Sequence, residues 1–140
     1  MQTFLPYSDF KETARCLDYR RLGKQRVEAW QTYRAIIYKN GWSHHPTVKM
    51  WHNNIGALLE YGATMCIEWK RRGYVDNMLV RFQKEMSKCY DFSKPKWIGD
   101  DEFHKSHKSN LLRKLPEHYS KFNWQVSSNL PYKWMVNLIA

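Results

Sequence analysis

Residues 47–73 read TVKMWHNNIGALLEYGATMCIEWKRRG, and this stretch decides the fold class. Its large apolar side chains recur at spacings of three, four and seven, the pattern of a helix with one buried face. Those side chains are Val48, Trp51, Ile55, Leu58, Leu59, Cys66 and Trp69. Thr47 is expected to cap this helix, and Arg71, Arg72 and Gly73 to end it, because cations and a following glycine favour a helix C-terminus. The stretch therefore predicts a long buried helix.

A second helical pattern precedes it. Asp9 with Glu12 three residues later predicts a helix start. The pattern then continues to about Tyr38, with a break placed near Asp18, and Asn40-Gly41 is expected to end it. We read this region as one long helix or two shorter ones.

The remainder of the chain predicts shorter helices and an irregular end. Asp76 is expected to cap a third helix, and a last helix is expected from His104 to about Leu115, closed by Pro116. The tail from Phe122 is aromatic and has no regular spacing, and alternating strand patterns of useful length are missing. We predict an all-α fold: one compact domain over residues 1–140, with three to four bundled helices and an irregular aromatic C-terminal tail.

The net charge of the chain narrows the classes of partner that it can bind. Lys and Arg number 23 against 13 Asp and Glu, which gives a net charge of +10. A positive field of this size attracts polyanions, so nucleic acid is the expected partner. Three widely spaced cysteines without a C-x-x-C pair indicate reduced thiols. Neither a signal peptide nor an apolar run of roughly 20 residues is seen, so we expect a cytoplasmic monomer without membrane contact.

Residues 18–28, DYRRLGKQRVE, carry the strongest functional pattern. On a helix, spacings of three, four and three place four polar side chains on one face, with two further cations beside them. The face consists of Asp18, Arg21, Gln25 and Glu28, flanked by Arg20 and Lys24. It is either a solvated face with weak ion pairs or a DNA-facing stripe in which cations hold phosphates and a carboxylate does acid–base work.

Histidines and aromatic residues give weaker patterns. His44 and His45 precede a helix start, and His104, His107 and Lys108 lie at the start of another, so both groups suit phosphate contacts. A zinc site built from these histidines is the less favoured alternative. The aromatic tail suits either unstacked bases or core packing, and we favour packing. Its members are His118, Tyr119, Phe122, Trp124, Tyr132 and Trp134, interleaved with Lys121 and Lys133.

The order of these segments resembles the phage-type pyrimidine-dimer DNA glycosylase and AP-lyase family, the phage endonuclease V family. Four stretches carry the resemblance. The first is residues 2–5 leading to residues 18–22, and the second is His45-Pro46-Thr47, which opens a helix that ends at residues 70–74. The third is Gly99-Asp100 with His104, Ser106 and Arg113-Lys114, and the fourth is Pro116 with Tyr119 and Phe122.

The resemblance implies a compact all-α domain that binds duplex DNA and flips a nucleotide. It implies an N-terminal α-amine that attacks the deoxyribose C1′ to form a Schiff base, a helix-borne glutamate that assists, and β-elimination that nicks the strand without a cofactor. Two departures matter. Gln2 disfavours removal of Met1, so Met1 would supply the amine; and Arg20 or Arg21 stands where the family has its glutamate, which leaves Asp18 and Glu28 as the nearest carboxylates.

We therefore expect a base-excision enzyme acting on a damaged or modified pyrimidine. The expected catalytic residues are Met1, Asp18, Lys24 and Glu28, with Lys24 as a second candidate amine. The expected DNA contacts are Thr3, Arg20, Arg21, Gln25, Arg26, His44, His45, His104, His107, Lys108 and Arg113. Two alternatives remain open: a non-catalytic DNA-binding module on the same scaffold, and a metal-dependent nuclease using His44, His45, His104 and His107.

Overall fold

The computed structural model describes residues 1–136, and within them the chain forms helices and turns without a strand. The helices are α1 (Phe10–Cys16), α2 (Tyr19–Tyr38), α3 (Pro46–Trp51), α4 (Ile55–Arg71), α5 (Leu79–Met86), α6 (Asp101–Lys114) and α7 (Pro116–Tyr119), followed by a 3-10 helix (Ser120–Phe122). The all-α prediction is confirmed, but the helices are shorter and more numerous than the three to four expected. None of the helices in residues 1–136 has the length and apolar character needed to cross a bilayer.

Aspartate side chains start the first two helices, as predicted. Asp9 accepts a hydrogen bond from the Glu12 amide at 2.8 Å, and Asp18 accepts one from the Arg21 amide at 3.4 Å. The predicted break near Asp18 is therefore confirmed, because the residue that ends α1 is followed by the cap of α2. The end of α2 differs from the prediction: Lys39, with φ 48° and ψ 46°, terminates the helix before Asn40-Gly41 is reached.

The predicted long helix from Thr47 is two helices, α3 and α4, separated by residues 52–54. Asn54 precedes α4 and donates through its side chain to the Ser93 carbonyl at 3.1 Å, so the loop at residues 91–93 packs where a continuous helix would run. The cap of α3 is also different from the prediction. His45 caps it by accepting from the Thr47 amide at 3.1 Å, and Pro46 occupies the first helical position.

The core lies around α4, which packs against α1, α2 and α5. Its buried side chains include Leu58, Leu59 and Tyr61, which are fully covered. Gly62 lets α5 approach closely, since a Cβ at this position would lie 2.2 Å from the Phe82 ring. Asp76 was expected to cap α5, but the N-cap residue is Met78; Asp76 lies two residues before it and accepts from the Leu79 amide at 2.7 Å.

The last helices bring the C-terminal tail back over the domain. Asp100 accepts from the Phe103 amide at 2.8 Å, so α6 begins three residues before the expected His104. Pro116 opens α7 instead of ending the helical region. The tail then returns to α6, where the Leu130 amide donates to Ser109 Oγ at 2.9 Å. Within the described residues, core packing of the tail is confirmed for Tyr119, which is fully buried.

Candidate active site

A pocket of about 520 Å³ opens between the N-terminal segment, the polar face of α2 and the returning tail. Its lining consists of Met1, Gln2, Phe4, Arg20, Arg21, Lys24, Gln25, Glu28, His45, Lys114, Tyr132 and Trp134. The pocket therefore unites an amine, a carboxylate and several cations, and we call it the amine pocket.

Gln25 of α2 holds the N-terminal segment in place. Its Oε1 accepts from the Phe4 amide at 2.9 Å, and its Nε2 donates to the Gln2 carbonyl at 2.9 Å. The Tyr61 hydroxyl, fully buried, lies 2.6 Å from Gln25 Oε1 and 2.7 Å from the Phe4 carbonyl, so it can donate to either. Residues 2–5 thus form an irregular segment whose backbone bonds to side chains, and we call it the strap.

Two histidines of α6 hold the next residue of the strap. His104 Nδ1 lies 2.7 Å from the Leu5 carbonyl, and His107 Nδ1 accepts from the Leu5 amide at 3.0 Å. The second nitrogen of His104 accepts from the Gly99 amide at 2.9 Å, so its Nδ1 is the donor to Leu5. Burial lowers the pKa of both histidines, that of His107 to about 3, and keeps them neutral.

Glu28 lies in the amine pocket beside the Met1 amine. Burial raises the pKa of this carboxyl above its ordinary value, although the positive Met1 amine and Lys24 oppose the shift. The carboxylate accepts hydrogen bonds from the Gln2 amide and from Gln25 Nε2, the latter at 2.9 Å. Burial and the same amine also lower the pKa of His45, which lines the amine pocket together with Met1 and Glu28.

Cations surround the mouth of the amine pocket. Arg20, Arg21 and Lys114 line both this pocket and a neighbouring one of about 540 Å³, so they stand on the ridge between the two. Arg21 pairs with Asp18 at 3.3 Å, whereas Arg20 donates to the Tyr19 hydroxyl at 3.2 Å. Three cations on one ridge suit a phosphate chain that runs from one pocket into the other.

Asp18 faces the neighbouring pocket and does not line the amine pocket. Burial alone would raise the pKa of this carboxyl, but hydrogen bonds from the Tyr119 hydroxyl and Arg21, and the charge of Arg21, lower it overall. The carboxylate also caps α2. Asp18 is therefore held ionised in a supporting position, and Glu28 is the carboxylate beside the amine.

Four of the expected DNA contacts are buried: Thr3, Gln25, His104 and His107. Thr3 accepts from Trp51 Nε1 at 2.9 Å, Gln25 bonds to Gln2 and Phe4, and both histidines bond to Leu5. The expectation that these side chains contact DNA does not fit their burial, because their polar atoms are already bonded within the protein. Periodicity could not reveal this burial, because a polar residue on a helix face gives the same sequence pattern whether it faces solvent or another segment of the chain.

Four more expected contacts lie outside the amine pocket. Arg26 pairs with Asp76 and lies over the Trp69 ring, Lys108 lies 5.1 Å from the centre of the Tyr7 ring, and Arg113 donates to the Ser128 carbonyl at 2.6 Å. His44 is exposed. Within residues 1–136, no three His, Cys, Asp or Glu side chains are grouped to hold a metal ion, so the histidine cluster expected for a nuclease does not form.

The sequence analysis missed several residues of the pocket: Gln2, Phe4, Lys114, Tyr132 and Trp134. Tyr132 and Trp134 arrive through the fold-back of the tail, which Ser106 helps to fix by accepting from the Lys133 amide at 3.1 Å. Their ring centres are 5.7 Å apart, and Trp134 lies edge-on to His45 at 6.2 Å. The aromatic residues interleaved with lysines in the tail indicated a binding or packing role, but this pattern does not predict where the tail lies on the domain.

Comparison with known proteins gives one finding. A family model described as pyrimidine dimer DNA glycosylase matches residues 1–82. The matched part contains the strap and all of α2, whereas Lys114, Tyr132 and Trp134 of the pocket lie beyond it. No curated protein and no solved structure matches the chain.

Proposed function

The chain belongs to the pyrimidine dimer DNA glycosylase family, whose model matches 82 of its 140 residues, and from this premise we propose that it excises a damaged or modified pyrimidine from duplex DNA. The Met1 α-amine is the nucleophile, and Glu28 is the acid–base group. The same amine then forms a Schiff base with the sugar, and strand nicking follows by β-elimination. The reaction uses side chains and the α-amine alone.

One observation carries this proposal: the amine and a half-buried carboxylate occupy the same pocket. A primary amine is a nucleophile that forms Schiff bases with sugar carbons without a cofactor. The raised pKa of Glu28 suits a group that both accepts and returns protons. Gln2 and Gln25 hold the carboxylate by hydrogen bonds, which fixes it relative to the residue that bears the amine.

The proposed chemistry proceeds in three steps. The Met1 nitrogen attacks C1′ while the bond from C1′ to the base breaks, and the base departs with its electron pair and takes up a proton. The nitrogen gives a proton to the Glu28 carboxylate, which passes it to O4′ as the C1′–O4′ bond opens, and the nitrogen lone pair forms the C=N bond of the Schiff base. Glu28 then takes a C2′ proton, a C2′–C3′ double bond forms, and the 3′ phosphate leaves with the electrons of the C3′–O bond. Water adds to C1′ and releases the Met1 amine from the resulting sugar aldehyde.

The pocket and its ridge suit a nucleotide turned out of the helix. A volume of about 520 Å³ lies within the range of small-molecule sites, and the aromatic tail forms one wall. Arg20, Arg21 and Lys114 stand where the flanking phosphates of that nucleotide would pass. These cations are expected to contribute to binding and the amine with Glu28 to chemistry.

Borohydride trapping tests the proposal directly. The chain, produced with Met1 as its first residue, is incubated with duplexes that carry an abasic site, uracil or a cyclobutane dimer, with and without chelator. We expect a covalent adduct that forms equally in chelator, with peptide mapping by mass placing it on Met1. Absence of both adduct and released base on every duplex would overturn the proposal.

Two variants assign the amine. Lys24→Ala removes the other candidate nucleophile of the pocket and is expected to leave the adduct yield unchanged when DNA is saturating. A short Gly-Ser extension before Met1 moves the α-amine out of the pocket and is expected to abolish trapping. An adduct that maps to Lys24, or that still forms with the extended chain, would show that a group other than the Met1 amine is the nucleophile.

A non-catalytic DNA-binding module is the second candidate, and the presence of Arg20 and Arg21 where the family has its glutamate favours it. It predicts tight, salt-sensitive binding without adduct or product. Under this alternative, replacing Glu28 by Gln leaves binding intact or tighter, and no duplex yields a trapped species.

A further inference from the structure

The exposed face of α2 carries cations and no carboxylate along its whole length. Residues at spacings of four, three, four, three and four are all exposed and form one stripe. They are Arg20, Lys24, Val27, Gln31, Arg34 and Tyr38. The single acid of α2, Glu28, is turned into the amine pocket. This stripe therefore carries three cations, Arg20, Lys24 and Arg34, separated by uncharged residues and without an acid, and we call it the α2 track.

A second cationic pocket lies at the far end of the α2 track. It has a volume of about 400 Å³ between the C-terminal half of α2 and α5, and we call it the α2–α5 pocket. It is lined by Trp30, Tyr33, Arg34, Tyr38, Arg81, Lys84, Glu85 and Lys88. Its one acid, Glu85, is engaged by the Tyr33 hydroxyl at 2.7 Å and by Lys88 at 2.9 Å.

The remaining cations of the α2–α5 pocket are not neutralised. Among residues 1–136, the ion pairs include neither Arg34, Arg81 nor Lys84. Arg34 lies over the Tyr38 ring at 5.3 Å, which orders its guanidinium at the surface without using its charge. The pocket thus combines three available cations with aromatic walls.

We propose that the α2 track and the α2–α5 pocket bind the backbone of the DNA that flanks the excised nucleotide on one side. This inference rests on the proposed function, because it takes the amine pocket as the place where the nucleotide is bound. Continuity supports it, since Arg20 and Lys24 belong both to the track and to the amine pocket. The occupant is a duplex, whose regularly spaced phosphates complement an acid-free line of cations.

Helix geometry sets the reach of this contact. Arg20 and Arg34 are 14 positions apart, which corresponds to about 21 Å along an α-helix. Phosphates of one DNA strand follow each other at about 3.4 Å along the axis, so the track spans roughly six base pairs. The footprint on DNA is therefore asymmetric, with the longer arm on the side that the track follows.

Charge reversal with a matched control tests the proposal. The variant Arg34→Glu/Arg81→Glu is compared with Lys11→Glu/Lys96→Glu, which makes the same charge change at exposed residues that line neither pocket. Binding is measured on duplexes with a central tetrahydrofuran abasic analogue, which cannot react. We expect the first variant to bind about tenfold more weakly than the control and to lower the slope of log affinity against log salt by about two.

Varying the length of the DNA on each side of the abasic analogue adds a test, because a misfolded variant would not lose its dependence on one flank only. Shortening one flank to about three base pairs is expected to weaken binding of the unaltered chain but not of Arg34→Glu/Arg81→Glu, while shortening the other flank affects both equally. Equal affinity of the two double variants, or equal loss from both flanks, would overturn the proposal. Because the analogue does not react, this result is independent of adduct formation, which alone decides the proposed function.

Discussion

Gln25 shows how one buried amide organises the amine pocket. Its two donors and its acceptor oxygen serve the strap, Tyr61 and Glu28, and only 1% of the residue is exposed. An amide supplies two N–H donors and two acceptor sites, so the hydrogen-bonding capacity of this group is used in full. The sequence placed Gln25 on the correct helix face but suggested a contact with DNA, because burial of that position depends on the strap.

Glu28→Gln tests the acid–base group. The amide keeps the size of the side chain but cannot exchange protons at neutral pH, so we expect single-turnover base release to fall by about 10² or more. Binding to the abasic analogue should be unchanged or tighter, because a negative charge is lost. For the unaltered chain, the acid limb of the rate–pH profile should lie above the ordinary glutamate pKa of about 4.3, since burial raises the pKa of Glu28.

The matched control for this variant is Asp18→Asn, because Asp18 is the other carboxylate at the start of α2. It is expected to lower stability through loss of the charged cap while leaving the acid limb of the rate–pH profile in place. A shift of that limb in Asp18→Asn, with none in Glu28→Gln, would assign the acid–base role to Asp18.

Gln25→Ala separates positioning from chemistry. The change leaves the Phe4 amide and the Gln2 carbonyl without their partner, and leaving buried polar groups unpaired costs about 1–3 kcal/mol. We expect a lower urea midpoint and a lower single-turnover rate that does not recover at saturating DNA. The conservative variant Gln25→Glu is expected to restore part of the stability but to raise the pH of the acid limb further, through repulsion with Glu28.

At the scale of helices, the sequence predicted where a helix begins better than whether it continues without a break. Asp9 and Asp18 cap the helices that they were expected to cap, because an N-cap depends on a few neighbouring residues. The separation of α3 from α4 was not predicted, because it depends on a contact between Asn54 and Ser93, which are 39 residues apart. Local patterns contain no information about such a contact.

The same limit applies to the candidate site. The spacing of residues 18–28 predicted a polar face, and three of its four members, Arg21, Gln25 and Glu28, line the amine pocket. It did not distinguish Asp18 from Glu28, because both occupy that face and differ only in what packs around them. Gly23 illustrates the same point: the Trp69 ring lies 3.0 Å from where a Cβ at this position would be, and the spacing of residues along α2 does not reveal that contact.

The packing of α4 against α5 gives a prediction at this scale. In Gly62→Ala the new Cβ would lie 2.2 Å from the Phe82 ring, so α5 must shift. Overpacking of this kind typically costs about 1–3 kcal/mol, which opposes a gain of about 1 kcal/mol in helix propensity. We expect a lower urea midpoint for Gly62→Ala, whereas Gly41→Ala, with no atom within 4 Å, should change it little. Equal midpoints would show that α5 is not packed against Gly62.

At the scale of the whole molecule, the bonds from Leu5 to His104 and His107 join the N-terminal strap to α6. The ordinary pKa of histidine is about 6.5, whereas burial lowers the pKa of His107 to about 3. Between these values the unfolded chain binds a proton that the folded chain does not. Stability is therefore full above pH ~6.5 and falls as the pH drops towards 3, by up to roughly 1.4 kcal/mol per pH unit for this group.

His107→Asn tests this pH dependence. An asparagine oxygen can accept from the Leu5 amide but does not titrate, so we expect urea midpoints at pH 7 and pH 5 to differ less in this variant than in the unaltered chain. His52→Asn, at an exposed histidine, is the control and should retain the full difference. If both variants lose the same amount between pH 7 and pH 5 as the unaltered chain, His107 is not the group responsible.

The strap also ties the order of synthesis to the formation of the amine pocket. Its Leu5 is fixed by His107, which is added to the growing chain 102 residues later. While the chain is emerging from the ribosome, the first residues have left long before the helix that anchors them exists. Until then the Leu5 amide has no imidazole to bond to, so the strap is held only by contacts with residues made earlier, such as Gln25 and Tyr61. The amine pocket can take its folded shape only after α6 has been made.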